Sequence, residues 1–146
     1  MDYFKKEVLK AAEAEIARQE LLTDGEIRVA IIGQDKKKDK DKTLYQLALG
    51  LFYKLEMQNT IGRSAVLLYI HTVRRQFQII ADEGVHSKVG QSAWDEIAND
   101  LKEAFQYGHY QNGLLSSIQK IGSLLATHFP PKSENKNELT NEIFEN

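Results

Sequence analysis

The chain of 146 residues has no cysteine, only two prolines, and a longest apolar run, 65–70 (AVLLYI), that is far short of the ~20 residues a membrane-spanning helix requires. Without cysteine there is no disulfide framework, zinc ribbon, iron–sulfur cluster or thiolate nucleophile. An excess of charge of one sign is missing as well. The 19 basic and 21 acidic side chains sum to −2, whereas a dedicated nucleic-acid binder carries a basic stripe that releases counterions. No nucleic-acid partner is therefore expected. The opening Met1-Asp2-Tyr3-Phe4-Lys5-Lys6-Glu7 lacks the basic start and apolar stretch of a secretory signal, so a cytoplasmic, monomeric protein is the expectation. What remains is ordinary globular usage, 42% apolar and 27% charged, at a length that buries a real core in one domain.

The apolar pattern sets out the elements. Phe4, Val8, Leu9, Ala12, Ile16 and Leu21 follow a helical period, and Thr23-Asp24-Gly25 then supplies a turn. Residues 26–32 (EIRVAII) are rich in β-branched side chains and read as a buried strand. Residues 34–42 (QDKKKDKDK) hold five lysines, three aspartates and no apolar group, which predicts a mobile, solvated loop. Thr43 with Gln46 forms a capping-box pattern ahead of a second helix with Leu44, Leu47, Ala48, Leu51, Phe52 and Leu55 on its apolar face. Residues 64–73 are apolar on both faces, the mark of a strand covered by helices on both sides. Arg74-Arg75 link it to a third strand over 76–81. Ser92 caps a third helix carrying Trp94, Ile97, Leu101 and Phe105, Gly108 stops it, and a fourth helix runs from about Asn112 to Pro130-Pro131.

This order predicts an α/β fold, a three-layer α/β/α sandwich with a short mixed central sheet. The first two strands should be parallel through a right-handed crossover, and the third antiparallel to the second. A single domain covers 1–131. Residues 132–146, with two lysines and four glutamates, are expected to be a flexible acidic tail that accounts for the whole net charge.

The topology brings the end of the third strand, Asp82-Glu83-Gly84, back to the edge where the first two strands begin. Asp24, Glu26, Thr60 and Arg63 are expected on the same edge. Four carboxylates there offer the oxygen ligands that a hard divalent cation such as calcium takes. Ordinary solvated loop acids are the competing reading. The run Asp35/Asp39/Asp41 fails the calcium-loop template, because it lacks the sixth-position glycine and the twelfth-position glutamate. The four histidines, His71, His86, His109 and His128, share no metal-ligand spacing. There is no phosphate-binding glycine loop and no nucleophile elbow, so any phosphoester hydrolysis would have to be metal-assisted. Arg63 could anchor a phosphate, but a structural salt-bridge arginine is the favoured reading.

Several spaced motifs together resemble the TPM domain family. They are Gly25-Glu26-Ile27-Arg28-Val29, Asn59-Thr60 with Gly62-Arg63-Ser64-Ala65-Val66-Leu67-Leu68-Tyr69-Ile70, Ala81-Asp82-Glu83-Gly84-Val85 with Lys88-Val89-Gly90, and Phe105-Gln106-Tyr107-Gly108-His109-Tyr110-Gln111-Asn112-Gly113-Leu114. The resemblance spans about residues 5–130. It implies the same α/β/α sandwich, a divalent-cation site usually discussed as calcium, and a weak acid-phosphatase activity on phosphomonoesters. Some relatives are instead accessory modules that contact a partner protein. This chain looks like the short soluble bacterial branch. It has His109 where many relatives place an aspartate, and Gly62-Arg63-Ser64 where many carry an Asp-Asn-Gly-like run. The resulting expectation is a cation, most simply calcium, held by Asp82 and Glu83 with added charge from Asp24 or Glu26, and a cleft shaped by Arg63, His109 and Tyr110. A non-catalytic protein-interaction module is the alternative.

Overall fold

Residues 3–132 and 139–146 are described by the computed structural model. Helix α1 (Lys6–Glu20) turns Ala12 and Ile16 inward and is followed by β1 (Glu26–Ile32). Helix α2 (Leu44–Lys54) starts at the capping box expected from the sequence: Thr43 Oγ1 accepts the Gln46 N–H at 3.1 Å, and Gln46 Oε1 accepts the Thr43 N–H at 2.9 Å. Strand β2 (Ala65–His71) is buried along its whole length, as a sheet centre covered on both faces must be. Strand β3 (Gln76–Ala81) follows through a tight turn. Three helices come next, α3 (Glu83–Val89), α4 (Gln91–Gln106) and α5 (Tyr110–His128), and then the two-residue strand β4 (Phe144–Glu145).

The sheet order is β3-β2-β1-β4. Strands β1 and β2 pair in parallel from Glu26↔Ala65 to Ile32↔His71, and β3 runs antiparallel to β2 from Val66↔Ala81 to His71↔Gln76. On one face Ile27, Val29, Val66 and Leu68 pack against the buried sides of α1, α4 and α5. On the other, Ala30, Leu67 and Tyr69 meet Ala48, Phe52 and Met57 from α2 and its exit. The fold is thus the three-layer α/β/α sandwich around a mixed sheet that the periodicity predicts.

Three local expectations need correction. Residues 83–89, expected as a loop, are helical because Asp82 caps them, with its side chain accepting the Glu83 N–H. The lysine-rich segment is tied down. It carries a 3-10 turn at Lys37–Asp39, and Arg74 donates to the carbonyls of Lys42 and Asp39 at 2.7 and 3.3 Å. The end of the expected flexible tail joins the sheet, with Phe144 opposite Ala30 and Leu139 and Phe144 packed on the α2 side. The sequence pattern missed β4 because two apolar residues in a polar run are too few to show a period. The remainder of that tail, 133–138, lies outside the described residues.

One length decides where the site residues fall. At 19 residues α5 is about 28 Å long. Its last turn sits at the start of β1, where the Asp24 N–H and Thr23 hydroxyl both donate to the Phe129 carbonyl. Its first residue, Tyr110, is therefore at the far end of the sheet.

Candidate functional site

At the end of the sheet where β1 and β2 begin, a tight loop carries Gly62 and Arg63 with φ of +75° and +51°. This left-handed pair turns the backbone sharply and swings the Arg63 guanidinium across the end of β3. Its Nε and Nη2 donate to Asp82 Oδ2 and Oδ1, both at 2.7 Å, in a two-pronged ion pair, and Nη1 lies 3.4 Å from Glu83 Oε1. The Asp82 contact, ahead of opposing desolvation, holds the Arg63 pKa above its ordinary value. Asp82 is 5% exposed, whereas the Glu83 side chain is 76% exposed. Gly84 closes the arrangement from below: a Cβ there would run into the carbonyl oxygens of Gly62 and Arg63. The Thr60 hydroxyl accepts the Ser64 N–H at 3.0 Å and fixes the loop's exit into β2.

The other expected residues do not join this group. Asp24 accepts the Lys132 N–H at 3.2 Å and fastens the chain leaving α5. Glu26 is buried, and its carboxyl hydrogen-bonds to Glu20, whose Oε2 accepts the Ile27 N–H at 2.7 Å. Burial, reinforced by the hydrogen bond to Glu26, pushes Glu20 up to about 9, so this carboxyl keeps its proton at neutral pH. Buried against the protonated Glu20, Glu26 is not presented to an ion in the groove at Asp82. His109 stands exposed ahead of α5 and stacks on Tyr107, and Tyr110 packs in an aromatic cluster with Tyr3 and Phe105 at 4.8 and 5.6 Å. Both lie at the opposite end of the sheet, so neither shapes the cleft at Asp82. Of the seven residues expected together, Arg63, Asp82 and Glu83 meet; Asp24, Glu26, His109 and Tyr110 do not. Among the described residues no group of three His, Asp or Glu side chains is placed to hold a metal ion.

His86 joins the acidic edge, as its place three residues beyond Glu83 suggests, and lines the same groove as Arg63, Asp82 and Glu83. Sequence reasoning missed two other residues. Glu20 was hidden because a charged residue in a helix's last turn normally faces water. At the far end, Asp35 emerges from the lysine-rich run to accept from His71 Nε2 at 2.8 Å and Arg74 Nε at 2.9 Å. Desolvation raises its pKa, but the hydrogen bonds from His71 and Arg74 win and leave it lowered. His71 is 1% exposed, and its Nδ1 accepts the Arg74 backbone N–H at 3.1 Å. With Nδ1 occupied and the other ring nitrogen committed to Asp35, the imidazole has no free lone pair to serve as a general base. It is a clamp between β2 and the loop.

The layers and the mixed sheet are those of an α/β/α domain of the TPM class. The TPM-domain family model matches residues 1–124, and the chain belongs to that family. Among solved structures, the NMR structure of the BA42 protein from the psychrophilic bacterium Bizionia argentinensis is similar at 30% identity and TM-score 0.88, over 99% of this chain and 97% of that one. The N-terminal domain of a protein from P. gingivalis is similar at 16% identity and TM-score 0.70, over 89% of this chain and 83% of that one, and shares the fold. So does the N-terminal domain of cg2496 from Corynebacterium glutamicum, at 13% identity and TM-score 0.56, over 90% and 78%. No curated protein matches the sequence. No helix among the described residues is long and apolar enough to cross a membrane.

Proposed function

We propose that this TPM domain is a low-affinity divalent-cation module in which Arg63 competes with the ion for Asp82. The observation that carries the reading is the contrast within one turn. Asp82 has both oxygens on a guanidinium, and Glu83, its neighbour, stands open to solvent. Asp24 and Glu26 do not fit a cation site, for the reasons above, and only Asp82 and Glu83 supply charged oxygens. Two carboxylates fall short of the six to eight oxygens calcium takes, so water completes the shell and affinity sits near the weak, roughly millimolar end of protein calcium sites. Calcium is the favoured ion because a flexible shell of oxygens suits it better than the strict octahedron of magnesium.

Hydrolysis of a phosphomonoester would draw its Lewis acidity from the bound ion. The chain's own groups in the groove would orient the substrate: Arg63, once released from Asp82, toward the phosphate, with His86 lining the same groove as the group to move a proton. A non-catalytic module that uses the ion only for binding has the same geometry without that step.

Two measurements test the reading. Calcium should raise the melting temperature of the wild type only at millimolar concentration. It should do so at about tenfold lower concentration in Arg63→Asn, which removes the competing charge and keeps a residue type suited to a left-handed backbone. Equal calcium response in the two proteins contradicts competition. A phosphomonoester assay with chelator and Asp82→Ala controls decides between catalysis and binding, because turnover surviving both treatments belongs to another site or another protein.

A further inference from the structure

The order β3-β2-β1-β4 leaves β3 at an edge, and that edge is unprotected in an unusual way. The Asp82 N–H donates to the Ala65 carbonyl at 2.9 Å, so alternate residues from there back, Ile80, Gln78 and Gln76, turn their backbone toward β2. Phe77, Ile79 and Ala81 consequently present N–H and C=O outward, and no described residue outside the sheet hydrogen-bonds to them. Edge strands are normally blunted by a charge, a proline, a bulge or brevity. Strand β3 is six residues, QFQIIA, with no charge, no proline and unbroken pairing, whereas the opposite edge strand, β4, has two residues.

This edge lies in a groove of about 480 Å³ along Gln78–Asp82. Tyr45, Leu49 and Tyr53 of α2 form one wall, and His86, Gln91 and Trp94 of α3 and α4 the other. Tyr45 and Tyr53 are half exposed, although Phe52 between them is fully buried. At the groove's end Glu83 offers an open carboxylate.

We infer that the outer edge of β3 takes an extended peptide of a partner protein as an added strand. Main-chain bonds to Phe77, Ile79 and Ala81 hold the peptide, and its alternate side chains meet the tyrosine wall of α2. A Lys or Arg at the end near Asp82 pairs with Glu83. The inference stands apart from the cation reading, and its test is run in chelator.

The probe is a library of random heptapeptides displayed on phage, selected on the wild-type protein in EDTA. Selected peptides should share alternating apolar positions and a basic residue at one end. On binding, the amides of Phe77, Ile79 and Ala81 should exchange with solvent at least about tenfold more slowly, because they acquire acceptors. Ala81→Pro removes one outward N–H and leaves the β2 ladder intact, so it should abolish binding while preserving the amide spectrum of the core. Should that variant misfold, Glu83→Gln carries the test, weakening the peptide several-fold. Failure to select any peptide, binding that leaves the three amides unprotected, or binding unchanged in these variants overturns the inference. Protection that rises with protein concentration and no peptide present also overturns it, in favour of a second copy.

Discussion

Each end of the parallel β1–β2 pair carries a carboxylate gripped by an arginine, and the two grips differ in what surrounds them. Where the strands end, Asp35 accepts from both His71 and Arg74, and the same guanidinium is spent on the carbonyls of the lysine-rich loop. Both oxygens of Asp35 and both ring nitrogens of His71 are engaged there. Where the strands begin, Arg63 saturates Asp82 but reaches Glu83 only at 3.4 Å, and both acids border a groove with an open strand edge. Beneath them Glu20 and Glu26 share a proton. An acid at a strand end is thus no guide to a ligand site by itself. What distinguishes the two ends is whether the negative charge is already compensated.

The largest effect expected is on the pH dependence of the strand-start end. Glu20 is raised from 4.5 to about 9 in the folded state, so the folded protein binds a proton that the unfolded chain gives up. Its contribution is fully present below about pH 4.5 and is lost as pH rises toward about 9, on the order of several kcal/mol across the span. Glu20→Gln, which keeps an acceptor for the Ile27 N–H and a donor for Glu26, should flatten that limb in urea titrations between pH 5 and 9. The far end acts on the acid side: Asp35, held low, supports the fold above its unfolded pKa and stops doing so as pH falls through the folded value.

Gly84→Ala should follow, costing about 3 kcal/mol in chemical denaturation because the added methyl meets backbone and not a movable side chain. Asp35→Ala should cost about 2 kcal/mol, since it strands the N–H of a buried His71. Asp82→Ala should cost less, about 1 kcal/mol, mainly the lost cap of α3, because the released arginine can turn to water. If Asp82→Ala proves the costlier of the two, the strand-start acid is the structural one and the comparison reverses. Glu83→Gln, an exposed change, should stay within about 0.5 kcal/mol by thermal melt.

The layers were legible in the sequence because they rest on long periodic segments, and the capping box at Thr43 was legible because its chemistry is local. The Arg63–Asp82 pair was foreseen as proximity, through topology, with Arg63 read as a salt-bridge arginine but without its partner. Its meaning required knowing that Asp82 caps a helix and is saturated by the guanidinium. His109 and Tyr110 were misplaced because sequence spacing does not reveal which end of the sheet a helix starts from. Glu26 was misjudged because its partner, Glu20, is a neighbour across a turn with no pattern to mark it.

The most direct test follows amide shifts in a calcium titration of the wild type beside Arg63→Asn. Competition between arginine and ion predicts saturable shifts centred on Asp82, Glu83 and Gly84 at millimolar calcium, moved to lower concentration in the variant. Shifts centred elsewhere, or none at Asp82–Gly84 in either protein, would contradict it.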